Sequence, residues 1–220
     1  MIRSAALTLV CAALYGFALG SAHSELYAVR NLLKFPLLLA TTGSVCALSW
    51  WIVARLVGAP LSFVDAQRAA GMLFKDASAL LASLAPVVFF TARCLRATDD
   101  GQLGGYDAFL AGNLAAVALC GTLALLHQAR ELFLTARISP ARARALVASW
   151  LVLTLAVGGQ AAFFMRPFFG FPATRGARPP LFLGAEPDVR GATNFFEAVA
   201  QTLERPALPQ KWPETPRRER

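Results

Sequence analysis

The chain has 220 residues, of which 56% are hydrophobic and only 15% are charged, with a formal net charge of +8. Soluble domains usually carry about 25% charged residues, so this composition excludes an ordinary water-soluble enzyme. Four windows of 20 to 22 residues contain no Asp, Glu, Lys or Arg: 4–24, 35–54, 108–129 and 145–165. A hydrocarbon core about 30 Å thick needs about 20 helical residues, so each window predicts a membrane span.

The first predicted span runs from Ser4 to Ser21. Its apolar stretch after a basic residue also resembles a signal peptide, with Ala18-Leu19-Gly20 as the alternative cleavage site. Gly16 and Gly20 form a GxxxG pair, which permits close approach of two helices. The pair serves either the internal bundle or a homo-oligomer, and the sequence leaves both open.

A short amphipathic helix is predicted next, over Ser24–Lys34, where polar and apolar residues separate onto opposite faces. Such a helix suits the membrane interface. Pro36 marks a kink into the second span, Phe35–Ala54. A tryptophan pair near the far end of that span fits an interfacial aromatic belt. The residues in question are Tyr27, Arg30, Asn31 and Lys34 on the polar face, Leu26, Val29, Leu32 and Leu33 on the apolar face, and Trp50 and Trp51 in the pair.

Ser62 and Asp65 have the spacing of a capping box, which predicts a helix from there to about Leu95. The first turns, Ser62–Lys75, form a second juxtamembrane amphipathic stretch. The charge-free part that follows, 77–92, has 16 residues. That is about 24 Å of helix, so the third span depends on earlier residues entering the bilayer while Lys75 snorkels to the surface.

A glycine-rich acidic loop is predicted over Thr98–Gly105. Span four then covers about Ala108–Gln128. A basic loop, Arg130–Arg144, follows, in which Ser139 and Pro140 form an N-cap and N1 pair that indicates a helix start. Span five covers about Ala145–Met165. The predicted architecture is therefore all-α: a multi-pass bundle of about five transmembrane helices.

The chain divides into the transmembrane bundle, 1–170, and a tail, 171–220. Asn194 is a candidate N-cap for one short helix over about 194–203. Four prolines among charges after residue 205 predict a disordered end.

Basic residues in the short loops place the N-terminus inside and the C-terminal tail outside, because cytoplasmic loops carry an excess of Lys and Arg. Alanine- and arginine-rich usage points to a bacterial inner membrane. The basic residues flank hydrophobic spans, so the predicted partner is a bilayer with anionic headgroups, and no nucleic acid. The inner side holds Arg3, Arg55, Arg68, Lys75, Arg130, Arg137, Arg142 and Arg144, and the outer short loops hold Arg30, Lys34, Arg93 and Arg96.

Four short apolar motifs carry a resemblance: Lys34–Leu39, Leu61–Phe63, Leu84–Val88 and Arg166–Gly170. With them the chain resembles an uncharacterised family of bacterial polytopic membrane proteins, loosely similar to the Yip1-domain proteins. The likeness extends over about Gly16 to Phe196. It implies five spans and a cytosolic N-terminus, and it carries over no functional residue.

Five polar residues are candidate intramembrane sites, because burial of such groups in lipid is costly. Asn113 and Gln160 either bond across helices or bind a substrate. His127, at the inner end of span four, is either an interfacial residue or a proton relay. Lys75 and Asp76 form either a snorkelling pair or a functional polar site.

Arg166, Pro167, Phe168 and Phe169 follow span five. They are candidates for anchoring at the headgroups or for docking a partner protein. The four cysteines are isolated in sequence and the two histidines are far apart, so no metal site and no cofactor is predicted.

The sequence therefore predicts a non-enzymatic integral membrane protein with a scaffold, membrane-organising or partner-binding role. The alternative is a small transporter or channel subunit. An intramembrane enzyme would need a nucleophile beside a base, and the predicted spans do not supply that pair.

Overall fold

The computed structural model describes residues 2–97, 103–136, 138–168, 181–184 and 191–204. Within these ranges the chain is all-helical, which confirms the predicted fold class. The six helices are α1 (Ile2–Gly20), α2 (Glu25–Leu56), α3 (Phe63–Ala97), α4 (Leu103–Ala136), α5 (Pro140–Met165) and α6 (Phe195–Glu204).

Four of the described helices, α2 to α5, are long and apolar enough to cross a membrane. Helix α1 has 19 residues, a length of about 28 Å, and its apolar part, Ala5–Gly20, is shorter than those of the other four. These helices form one bundle in which α1 packs on α2 and α3, α2 on α3 and α5, and α3 on α4, while α6 lies against α5.

The outer surface of the bundle is apolar. Exposed large apolar side chains recur along every long helix. Four of them are more than 60% exposed: Leu33, Phe90, Leu119 and Val152. Soluble monomers rarely expose contiguous apolar patches of this kind, whereas in lipid they carry no penalty. The surface therefore agrees with the charge-free windows in assigning the chain to the membrane.

Two buried clusters form the core. One, near the C-terminal end of α2 and the start of α5, is centred on Trp50 and Trp150. The other, toward the opposite end, contains Tyr15, Phe35 and Cys120. Trp50 is fully buried and stacks on Trp150 with ring centroids 4.6 Å apart. The predicted place of Trp50 in an interfacial belt is therefore wrong, because its ring fills the helix–helix contact.

The separate amphipathic helix predicted over Ser24–Lys34 is also wrong, because α2 continues without interruption through Pro36. Its polar face does not lie toward water or headgroups. Tyr27, Asn31 and Lys34 are at most 3% exposed, while the apolar side of the same turns faces outward. The face separation is as predicted, but the orientation is inverted because Asn31 and Lys34 bond to backbone oxygens at the end of α5 and just after it.

The predicted basic loop Arg130–Arg144 is mostly helical. Helix α4 runs to Ala136 and α5 begins at Pro140. The helix persists because apolar residues of this stretch reach the core: Phe133 packs on Trp150 with centroids 5.8 Å apart. The predicted loop Thr98–Gly105 is likewise shorter, since α4 already begins at Leu103, and its centre lies outside the described residues.

The predicted capping residues are confirmed. The Asp65 backbone N–H donates to Ser62 Oγ at 3.1 Å, and the Ser62 N–H donates back to Asp65 Oδ2 at 3.0 Å. Asn194 Oδ1 accepts from the Glu197 N–H at 3.0 Å and caps α6. The proline-rich end after residue 205 lies outside the described residues. Cleavage after Ala18-Leu19-Gly20 stays a prediction; that segment packs against α2.

Candidate functional site

The most heavily buried charge in the described chain is Lys34. It is 2% exposed, and its ammonium donates to the backbone oxygens of Met165 (3.2 Å) and Pro167 (2.9 Å). The rings of Phe168 and Phe182 lie 5.7 and 5.1 Å from Nζ. Among the residues that the structure describes, no carboxylate pairs with this ammonium. Carbonyl dipoles and aromatic faces therefore compensate a cation that would otherwise be costly to bury.

Asn31 extends the same arrangement by one helical turn. Its amide donates to the backbone oxygen of Phe168. We name Asn31, Lys34 and the carbonyls of Met165, Pro167 and Phe168 the carbonyl clamp. Asn31 is fully buried and its Oδ1 has no hydrogen-bond partner among the described residues. The clamp fixes the chain leaving α5 onto α2.

A short segment, 181–184, lies over the clamp. The Leu183 N–H donates to the Arg166 oxygen at 2.9 Å, and the Gly184 N–H donates to the Phe164 oxygen at 3.1 Å. These bonds satisfy carbonyls at the end of α5 that have no partner within the helix. They bring Phe182 over Lys34 and so complete the aromatic side of the site.

The predicted docking motif behaves mainly as an internal anchor. Arg166 donates from Nη1 to the Phe163 oxygen at 2.8 Å and lies 3.5 Å from the Phe163 ring centroid. Pro167 supplies a carbonyl to the clamp. Phe168 packs edge-on against Phe35, with centroids 6.4 Å apart. Phe169 lies outside the described residues.

Asn113 forms an interhelical bond. Its Oδ1 accepts from the Tyr15 hydroxyl of α1 at 3.0 Å, and its amide donates to the Phe109 oxygen at 2.7 Å. Asn113 is 8% exposed and Tyr15 is fully buried. The geometry is that of a polar tie between α1 and α4.

Lys75 and Asp76 form an ion pair on α3. Their charged atoms are 3.6 Å apart and both side chains are partly exposed. Asp76 also accepts from the Gln128 amide of α4, a contact that the sequence did not predict. His127, next to Gln128, is exposed on the surface of the bundle. The Asp76–Gln128 contact therefore ties α3 to α4.

Gln160 joins α5 to α6. Its Oε1 accepts from the Phe195 N–H at 3.3 Å, one of the first amides of α6. The neighbouring Gly159 makes room for the Phe195 ring, since a Cβ at that position would lie 2.5 Å from ring carbons. Just before α6, the N–H and hydroxyl of Thr193 donate to the Glu197 carboxylate, which holds the pKa of that carboxyl below its usual range.

Gly16 and Gly20 lie in the contact between α1 and α2. A Cβ on Gly20 would lie 2.6 Å from the Tyr27 oxygen and 2.7 Å from the Ala28 Cα. A Cβ on Gly16 would lie 2.7 Å from the Phe35 Cβ. Of the two roles left open by the sequence, the glycine pair serves the internal bundle.

Comparison with family models, with curated proteins and with solved structures gave no match.

A groove of about 560 Å³ lies between α3 and α4. Its walls are mainly apolar and include the side of Asn113. Thr91, also in the wall, donates to the Val87 and Val88 oxygens at 3.0 Å. Within the described ranges, no group of three or more His, Cys, Asp or Glu side chains is placed to hold a metal ion.

Tyr15, Asn31, Lys34 and Phe182 were not predicted as site residues. Asn31 and Lys34 were visible in sequence as a polar face beside a charge-free window. Predicting that this face turns inward would have identified them, because polar groups on a membrane helix turn toward the bundle.

Proposed function

We propose that this chain is a non-enzymatic membrane scaffold, whose helical body holds the segment after α5 against one membrane surface for contact with a partner protein. The carbonyl clamp is the observation that carries the proposal. In the clamp, Lys34, the most buried cation of the described chain, fixes the end of α5 by donating to the backbone oxygens of Met165 and Pro167. Polar groups used in this way position a surface.

The surface that the clamp positions is the segment 181–184. Leu181 and Phe182 remain 42% exposed there. Exposed aromatic and aliphatic side chains on a fixed backbone favour protein contact, since aromatic residues are enriched in interfaces. Arg166 contributes to this role, because its backbone oxygen accepts from the Leu183 N–H.

A photo-crosslinking amino acid at position 182 tests the proposal in native membranes. We expect a discrete protein adduct that disappears when Lys34→Met releases the segment. The matched control is position 56, where Leu56 is 81% exposed at the opposite end of α2. A second copy of the chain in the adduct would make the protein a homo-oligomer. Lipid adducts alone at both positions would contradict the partner role.

A small transporter or channel subunit is the second candidate, favoured by the groove between α3 and α4 beside Asn113. Purified protein in liposomes tests it by solute and proton flux. Flux that is abolished by Asn113→Leu and retained in Gln160→Leu would favour transport over the scaffold.

We further propose a bacterial inner membrane location with the N-terminus inside. The loop before α3 then lies inside, and the clamp lies outside. Anionic headgroups contact the basic residues of the inner ends, including Arg55 and Arg142. A five-span likeness to Yip1-domain proteins is part of this proposal at the level of architecture.

Two cysteine variants in a background without native cysteines test this orientation. Pro60 and Leu181 are both exposed, at opposite ends of the bundle. Leu181→Cys should react with a membrane-impermeant maleimide in intact cells. Pro60→Cys should react only after the membrane is permeabilised. The reverse pattern would invert the topology.

A further inference from the structure

Helix α6 is attached to the side of α5, between the end of that helix and the centre of the span. The Phe195 N–H is held by Gln160, and the Phe195 ring rests on Gly159. These two residues precede Met165, the last residue of α5, by five and six positions. At 1.5 Å per residue, the attachment lies about 8–9 Å along the axis from the end of α5.

The end of α5 marks the hydrocarbon boundary on this side of the bundle. Arg166 is the first charged residue after the charge-free window 145–165. Lys34 immediately precedes the window 35–54 and touches the oxygens of Met165 and Pro167. Helices α2 and α5 therefore place the boundary at the same level, and α6 begins on the hydrocarbon side of that boundary.

The apolar face of α6 is only partly used by α5. Phe195 packs on Gly159, whereas the neighbouring Phe196 is 57% exposed. Phe164 on α5, close to the attachment, is 43% exposed and belongs to the outer surface of the span. On the other side of α6, the Gln201 amide donates to Glu197 at 3.5 Å.

We propose that α6 is an interfacial membrane helix, with Phe196 immersed in lipid at the boundary between headgroups and acyl chains. Amphipathic helices of this type lie about 5–10 Å into that boundary, which matches the level of the attachment. Helix α6 contains two Glu and no Lys or Arg. Its insertion therefore relies on apolar contact and not on anionic lipid. This lipid contact is separate from the partner surface at 181–184.

Fluorescent labelling in phosphatidylcholine vesicles tests the depth of α6. An NBD label is attached to Phe196→Cys or, as the matched control, to Gln201→Cys, in a background without native cysteines. Gln201 lies about 140° around the helix from Phe196, on the polar side where its amide contacts Glu197. We expect blue-shifted emission and quenching by shallow doxyl-labelled lipid at position 196, and quenching by aqueous iodide at position 201.

Equal quenching by iodide at both positions would overturn the proposal, because α6 would then lie in water. Protection of position 196 from both quenchers would also overturn it, because protein and not lipid would cover the face. A second measurement uses the unmodified chain, so its result does not depend on whether a variant folds. Photoactivatable phosphatidylcholine should label the peptide 195–201 as well as the region of Phe164. Labelling near Phe164 without labelling of α6 would contradict the proposal.

Discussion

At the residue scale, buried polar side chains act as ties between elements. Lys34 reaches backbone oxygens beyond α5, Asn113 reaches Tyr15 of α1, and Gln160 reaches the first amide of α6. A polar group in lipid cannot exchange its partner for water, so each bond specifies one neighbour. The net energy of each such bond in a membrane is nevertheless small, about 0.5–2 kcal/mol.

Replacing Lys34 by Met should lower the free energy of unfolding in detergent by about 1–3 kcal/mol, because buried carbonyls of Met165 and Pro167 lose their donor. The same variant should raise the protease sensitivity of 181–184. Lys75→Met is the control: Lys75 is partly exposed, and the expected change is within about 0.5 kcal/mol. Equal effects of the two substitutions would contradict a structural role for the clamp.

The Tyr15–Asn113 bond can be isolated by a double-mutant cycle with Tyr15→Phe and Asn113→Leu. We expect a coupling energy of about 0.5–1.5 kcal/mol in chemical unfolding from mixed micelles. Additive losses, with no coupling, would mean that the 3.0 Å contact contributes nothing to stability.

At the scale of elements, small residues decide how closely the helices approach. Gly20 places α1 directly on the backbone of α2, whereas a Cβ added at Gly112 or Gly121 of α4 would meet nothing within 4 Å. All three lie in predicted spans, and only Gly20 belongs to a GxxxG pair. Their different surroundings arise only from the packing of helices that are distant along the chain.

Gly20→Ala should therefore destabilise the bundle by about 1–3 kcal/mol, since the new methyl group overlaps the α2 backbone and α1 must move. Gly112→Ala should be neutral or stabilising by up to about 1 kcal/mol, because alanine is the better helix former. The free energies of unfolding of the two variants give the comparison. Similar values would show that α1 does not pack on α2 as described.

The α6 cap should respond to pH. Thr193 lowers the pKa of Glu197 in the folded helix, so the cap contributes stability above the ordinary carboxyl pKa, near 4. That contribution is lost as pH falls through the lowered value. We expect the Cα chemical shifts of residues 195–199 to lose helical character on acidification of lipid nanodiscs. Glu197→Gln should remove this dependence, and a pH response retained in that variant would contradict the cap as its source.

At the scale of the whole molecule, the bundle has apolar residues outside and polar ties inside. Phe90 is 69% exposed while Lys34 is 2% exposed, an inversion that lipid allows and water penalises. The full chain should therefore sediment with membranes in ultracentrifugation and resist extraction by alkaline carbonate. Recovery as a folded, monodisperse protein without detergent would contradict the membrane assignment.

The sequence alone was sufficient for the helical class, the charge-free windows and the helix starts at Ser62 and Asn194. These features depend on composition and on neighbours within one or two turns. It failed at the lengths of α2 and α4 beyond the windows, whereas Ser139 and Pro140 indicate the start of α5. The continuation through Pro36 and the helical stretch around Phe133 are maintained by contacts with residues far away in the chain.

The windows follow from local hydrophobicity, and any chain with this pattern would enter the bilayer. Tertiary structure decided which way each polar face turned, which glycines were packed and which carbonyls Lys34 would reach. Those outcomes depend on distant helices meeting in a solvent that satisfies no hydrogen bond. Bonds to the chain leaving α5 therefore made the inward orientation of Asn31 and Lys34 favourable, although their helical spacing alone fits an outward face equally well.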